Sequence, residues 1–333
     1  MKPYKLAVHI ILLVAIFVSG LSGGYYFATK KYTAFINSLH LVRSSNKETP
    51  FVHPLIGLDV PNALSINQFA PLSQKIEAVF KANSDVVNRY SVYFRDLNKG
   101  LWVGINENDS YDPASMLKVA LAMAAYKQAE SDRDFLQSAR QYTPELAAIN
   151  TSNPYNDPSN LKVGQFYTIE YLVSKMLIDS DNGAKDILGN TVDPKIIDDV
   201  YSALSIDVPS DNKSYKISAK KYSAFFRILY SGAYLNDSDS NAVLSLLSAV
   251  TFKNGLVAGV SASTTVSHKF GEHINSADNT INSTELHDCG IVYNPTNPYV
   301  LCVMTEGKSE TDLSDVISQV SKVVFQEVNN GYK

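Results

Sequence analysis

Ser115 and Lys118 stand one helical turn apart in the stretch Asp112-Pro113-Ala114-Ser115-Met116-Leu117-Lys118. A serine hydroxyl becomes a useful nucleophile only when a neighbouring base takes its proton. A lysine in a dry pocket can lose its charge and act as that base. Residues at this spacing share a helix face, so hydroxyl and amine can touch. A helix N-terminus adds a positive end where an oxyanion would form. Two more polar clusters could join them. In Ser180-Asp181-Asn182, a hydroxyl can relay a proton and an amide can grip Lys118 or a substrate amide. In Lys269-Phe270-Gly271, the lysine supplies a positive field, and the glycine lets a strand run close to a substrate. Each cluster also has a plainer account: a capped surface helix, a helix end followed by an N-cap, and an edge-strand lysine that blocks aggregation.

These residues must be carried by ordered elements, and the chain supplies them. Pro113 suits the approach to a helix, and the apolar run Val119 to Tyr126 reads as that helix, buried. Upstream, Leu72, Ile76, Val79 and Phe80 share one face of a helix over 72–83. Ser91 to Asp96 and Leu101 to Ile105, split by Asn98-Lys99-Gly100, form a hairpin leading into the Ser115 helix. Trp102, the only tryptophan, is expected on the sheet face or in the core. Thr168 reads as the N-cap of a helix with Ile169, Leu172, Val173, Met176 and Leu177 turned inward. That helix ends at Asp179 to Gly183, and a second begins at Ala184. Further helices are expected over 194–204, 219–230 and 240–249. After Gly255 the pattern returns to strands: one over 263–273 and a hairpin over 289–303 with its turn at 294–298. A last helix over 310–328 stops at Asn329-Asn330-Gly331. The fold class is therefore α/β of the α+β type. An antiparallel sheet built from 85–112 and 262–333 is flanked by helices, with a helical subdomain inserted over 113–261.

The chain has 333 residues, 45% hydrophobic and 19% charged, the balance of a globular protein with a sizeable core. A net charge of −4 gives no electrostatic case for a nucleic-acid partner. Leu6 to Phe27 is almost wholly apolar, flanked by Lys2, Lys5, Lys30 and Lys31. It is long enough to cross a bilayer. We read residues 1–30 as an uncleaved transmembrane anchor contacting lipid through residues 6–27, with a cleaved signal peptide as the alternative. Residues 31–71, with Pro50, Pro54, Pro61 and Pro71, read as a tether, and 72–333 as the folded domain. Cys289 and Cys302 flank the last hairpin. Two buried thiols are the expected state, and a cross-strand disulfide is the alternative in an oxidising compartment.

The three clusters in this order, Ser115-x-x-Lys118, Ser180-Asp181-Asn182 and Lys269-x-Gly271, resemble the class A β-lactamase and penicillin-binding serine hydrolase family. The resemblance runs from about residue 72 to the C-terminus. It implies acyl transfer outside the cytoplasm, with β-lactams or cell-wall stem peptides as partners. Ser115 would form an acyl-enzyme, Lys118 would act as base, and Ser180 would pass protons. Asn182 and Lys269 would orient the substrate. The backbone N–H groups of Ser115 and Glu272 would form the oxyanion hole, with Phe270 and Gly271 alongside. No cofactor or metal is implied. The competing accounts are a D,D-peptidase with slow deacylation, a cell-wall-binding module without turnover, and a tethered interaction domain with chance motifs.

Two departures from the family matter. No glutamate lies between Glu170 and Glu272, so the residue that activates the deacylating water is missing; Asp207 and Asp211 lie in the right region. Phe270 stands where the family has Thr or Ser, and alternation on a strand puts Glu272 on the same side. A ring and a carboxylate there would disfavour the anionic tail of a penicillin, so a substrate group lacking that carboxylate, or carrying an amine, is expected. His268 and His273, five residues apart, should face opposite sides and serve as polar strand residues.

Overall fold

The computed structural model describes residues 20, 49–52, 70–151, 159–209, 215–277 and 280–332. Apart from Gly20, the expected anchor over 6–27 lies outside the described residues, as does most of the tether. No helix among the described residues is long and apolar enough to cross a membrane.

In chain order the elements are α1 (Ala70–Ala82), β1 (Val87–Asp96), β2 (Trp102–Ile105), β3 (Ser110–Tyr111), a 3-10 turn (Ala114–Leu117), α2 (Lys118–Ser131), β4 (Ala139–Gln141) and α3 (Pro144–Thr151). Then follow β5 (Phe166–Thr168), α4 (Ile169–Ile178), α5 (Asn182–Gly189), α6 (Pro194–Ala203), β6 (Ile217–Ser218), α7 (Ala219–Ser231) and α8 (Asp237–Ser248). The chain closes with β7 (Val266–Ala277), β8 (Thr280–Val292), β9 (Tyr299–Gly307) and α9 (Glu310–Asn329). The main sheet has the order β2-β1-β9-β8-β7, and every neighbour pair is antiparallel. The first two strands come from early in the chain and the rest from its end, with the helices of 118–248 between them.

Both faces of the sheet are covered, so its central strands read as near-continuous apolar runs. Alternation sorts the side chains. On β9, Tyr299, Leu301 and Val303 join the core under α1 and α9. Val300, Cys302 and Met304 join the core shared with the inserted helices. The helix starts are capped as local chemistry demands: Thr168 Oγ1 accepts the Tyr171 N–H at 3.2 Å, and Ser309 Oγ accepts the Asp312 N–H at 3.2 Å. Each such cap is worth about 1 kcal/mol.

Several expectations change. β7 and β8 run further than the sequence pattern suggests, because pairing across the hairpin extends to Ala277 and Thr280. Within the expected tether, residues 49–52 pack onto the domain. Val52 is 1% exposed in the helical-side core, and the Phe51 N–H donates to Asn241 Oδ1 at 3.0 Å. Cys289 and Cys302 lie directly opposite on β8 and β9 and are joined as a disulfide rather than held as thiols. Trp102 is half-buried on the sheet, with the Lys220 ammonium 4.3 Å above its ring.

Candidate active site

Ser115 sits in the 3-10 turn rather than in the first turn of an α-helix; the α-helix begins at Lys118. The i to i+3 spacing of a 3-10 turn stacks side chains three apart even more closely than an α-helix does, so the pairing survives. Ala114 just before it has φ +46°, a left-handed conformation that an L-residue adopts at a cost of about 1–3 kcal/mol. Tyr222 Oη of α7 donates to the Met116 carbonyl at 2.8 Å and pins the turn from below.

The second cluster lies at the corner between α4 and α5. Ser180 is the single corner residue and is also left-handed, at φ +58°. That twist turns both its carbonyl and its hydroxyl toward Lys118. Asp181 is the N-cap of α5, as its residue type suggests: its Oδ1 accepts the Ala184 N–H at 2.8 Å. The same carboxylate accepts from Ser159 Oγ at 2.8 Å and from the Asn160 N–H at 3.0 Å. It thus ties the incoming loop to the corner.

The third cluster is on β7. A Cβ on Gly271 would stand 2.5 Å from the Pro113 carbonyl oxygen and 2.8 Å from Met116 Cγ. Only glycine lets the strand lie against the Ser115 turn. Lys269, fully buried, reaches in from the same strand.

These three segments converge. Lys118 Nζ lies 3.0 Å from Ser115 Oγ, 3.1 Å from Ser180 Oγ, 2.5 Å from the Ser180 carbonyl oxygen and 2.8 Å from Asn182 Oδ1. Lys269 Nζ lies 3.0 Å from Ser180 Oγ and 3.0 Å from the Phe270 carbonyl oxygen. The carbonyl of Ser180 and the Oδ1 of Asn182 can only accept, so they take two N–H bonds from Lys118. The rest of its nitrogen faces the two hydroxyls, Ser115 Oγ and Ser180 Oγ, between which a proton can pass once the ammonium has given one up. Burial, helped by the nearby Lys118 charge and opposed by Asp288, holds the Lys269 ammonium well below the ordinary lysine range. Ser180 Oγ bridges the two amines.

A cleft of about 620 Å³ opens over this array. Its β7 wall includes Phe270, Glu272 and His273, and its helical wall includes Leu121, Ile197 and Tyr201. The Phe270 ring stacks on Phe252 with centroids 4.5 Å apart. Among the described residues two carboxylates line the cleft, Asp179 and Glu272, and Asp179 is held by Lys175 at 2.5 Å. Asp207 does not supply a water-activating carboxylate: its side chain is 88% exposed and pairs with Lys221 at 3.2 Å. Asp211 lies outside the described residues.

The two histidines do face opposite sides, with different surroundings. His268 is fully buried, its Nδ1 2.8 Å from Asp288 Oδ1. His273 is more than the polar strand residue expected, for it lines the cleft and its Nδ1 lies 3.6 Å from Asp112 Oδ2. Sequence reasoning assigned no role to Asp112 and Tyr222, which touch the turn that carries Ser115, or to Glu285 and His287, which touch Asp112. Position 273 shares its β7 face with Lys269 and Gly271, a signal that strand alternation could have supplied. No group of His, Cys, Asp or Glu among the described residues is arranged to hold a metal.

A model of the beta-lactamase enzyme family matches residues 71–328. No curated protein matches the chain. Solved structures share the fold. A β-lactamase from Chitinophaga pinensis DSM 2588 is 20% identical with a TM-score of 0.68, over 78% of this chain and 100% of that one. A mutant of PBP-A, solved as an acyl-enzyme complex with penicillin G, is 20% identical with a TM-score of 0.65, over 78% and 97%. A class A β-lactamase from Mycobacterium abscessus is 20% identical with a TM-score of 0.63, over 78% and 99%.

Proposed function

The chain belongs to the beta-lactamase enzyme family of serine hydrolases, and from that premise we propose that Ser115 is its acylated nucleophile, acting on β-lactams or on D-Ala-D-Ala-like cell-wall peptides. The observation that carries this is the 3.0 Å approach of Lys118 Nζ to Ser115 Oγ, with that nitrogen also held by the Ser180 carbonyl, the Ser180 hydroxyl and Asn182 Oδ1. In the step proposed, the Lys118 amine takes the Ser115 hydroxyl proton as Oγ adds to the substrate carbonyl carbon. The N–H groups of Ser115 and Glu272 receive the oxyanion. When the C–N bond breaks, the leaving nitrogen takes a proton from Ser180 Oγ, which Lys118 replenishes. Asn182 and Lys269 hold the substrate and the local charge.

The helical wall beyond Lys118 presents Leu121, Ile197 and Tyr201 to the cleft. Of the carboxylates that line the cleft among the described residues, Asp179 is paired with Lys175 and Glu272 stands on the β7 side, which favours an acyl-enzyme that persists over one that turns over quickly. A penicillin-binding acylase of the D,D-peptidase kind is therefore preferred to a fast β-lactamase. On the β7 side, Phe270 and Glu272 favour a substrate group that is neutral or cationic. We further propose that Leu6 to Phe27 anchors the chain, with the domain outside the cytoplasm. That rests on the apolar run and its lysine flanks.

Incubating the protein with a fluorescent penicillin and following its intact mass tests the chemistry. The expected result is a mass gain of one acyl group that decays slowly and is absent in Ser115→Ala. Rapid loss of the adduct with release of hydrolysed product would make it a β-lactamase, and no adduct would remove the proposal. Running penicillin beside an analogue esterified at its carboxylate checks the β7 wall: the ester should acylate faster.

A further inference from the structure

The peptide just before the nucleophile is gripped from a strand that the proposed chemistry does not use. Gly271 on β7 pairs with His287 on β8, and His273 pairs with Glu285. Directly opposed residues share a sheet face, and here that face meets the Ser115 turn. Gly271 contributes no side chain, so Glu285 and His287 reach past β7 to Asp112. Glu285 Oε2 accepts the Asp112 N–H at 3.0 Å. His287 Nε2 meets the Asp112 carbonyl oxygen at 3.0 Å. Its other nitrogen, Nδ1, accepts the Thr305 N–H at 3.2 Å, so the ring proton sits on Nε2, where it faces the Asp112 carbonyl and, at 3.3 Å, Glu285 Oε2. The Tyr111 ring packs edge-on against the imidazole at 5.2 Å. Asp112 completes the grip with its own side chain, whose Oδ1 accepts the Ala114 N–H at 2.8 Å.

Glu285 is 4% exposed and His287 is fully buried. A buried ionisable pair loses hydration and is commonly no more stabilising than apolar side chains of the same shape. Packing alone therefore gives little reason for this pair. What it does accomplish is local: both backbone groups of Asp112 are fixed, and the next step of the chain leads through Pro113 to the left-handed Ala114 and to Ser115.

We propose that Glu285 and His287 are positioning residues for the nucleophile: by clamping the Asp112 peptide they hold Ala114 in its strained conformation and keep Ser115 Oγ within reach of Lys118. This rests on Ser115 being the nucleophile. A displacement of about 1 Å at a reacting atom costs on the order of a hundredfold in rate, so loss of the clamp should be felt in the covalent step and little in binding.

The test uses a fluorophosphonate, which phosphonylates activated serines without needing cell-wall recognition. The full chain is treated in wild-type, His287→Phe and His287→Gln forms, and the maximal inactivation rate and the half-saturating concentration are measured separately, beside the melting temperature. The expected result is labelling of wild-type Ser115 and a maximal rate about tenfold lower or more in His287→Phe. Half-saturation should stay within twofold, and the rate should recover in His287→Gln, whose amide N–H can reach Asp112. An unchanged rate in His287→Phe, a loss that glutamine does not rescue, or no phosphonylation of wild-type Ser115 would overturn the proposal. Should His287→Phe not fold, Glu285→Gln carries the same expectation at about a threefold loss, and an unchanged rate there would overturn it. Penicillin inertness beside fluorophosphonate labelling would sink only the substrate assignment.

Discussion

The two faces of the main sheet are built under different rules. Beneath α1 and α9 the core is mainly apolar: Val92, Phe94, Leu286, Leu301 and Val303 meet Leu313, Ile317 and Val320, and charged groups buried there, such as the His268–Asp288 pair and Asp96 under the Tyr332 hydroxyl, are held away from the cleft. On the other face the apolar packing of Met116, Val119, Met304 and the inserted helices surrounds buried Lys118, Lys269, Glu285 and His287. The first face rests mainly on volume and alternation. The second must satisfy every polar group it buries, and its left-handed Ala114 and Ser180 are what that satisfaction requires. Both halves bury apolar side chains, but the geometric demand of the cleft falls on the second.

The sharpest way to break the contrast is Lys118→Met. The methionine fills the space of the lysine stem but removes the base, so acylation of Ser115 by penicillin should fall by about 10²–10⁴-fold. Stopped-flow labelling reads this, and a rate within threefold of wild type would remove Lys118 from its role. The complementary change lies on the other face. Leu301→Ala should cost about 3 kcal/mol in urea unfolding while leaving the acylation rate of the folded protein unchanged. A rate that fell with stability would show that the two halves are not separable. The smallest effect is in pH dependence. In folded protein Lys269 holds its proton less tightly than the unfolded chain does. Between its depressed folded value and the ordinary lysine value, the unfolded state therefore binds up to one more proton. Stability then rises with pH across that window, by at most about 1.4 kcal/mol per pH unit, and flattens below it. Unfolding free energies of wild type and Lys269→Met measured up to pH 10 should differ by that slope, and parallel curves would contradict it.

This difference also explains what could be read in advance. The α9 face was legible because Leu313, Val316, Ile317, Val320 and Val324 keep a helical period, and Thr168 announced its helix by residue type alone. Ser115-x-x-Lys118 was legible because both partners sit within one turn. The joining of Cys289 to Cys302 was only half legible: placement about a turn put them opposite, but residue type could not decide thiol from disulfide. His287 was invisible, because it meets Asp112 across 175 residues and no local pattern marks a histidine as a backbone clamp. The docking of Val52 was hidden among prolines that signal a linker.

Gly271 carries one last consequence. The strand lies close against the nucleophile turn there, which leaves no joint about which the β7 wall could swing away from Ser115. Ligand entry should therefore be a rigid encounter, with each burst of adduct following a single exponential whose rate saturates with concentration and shows no preceding lag.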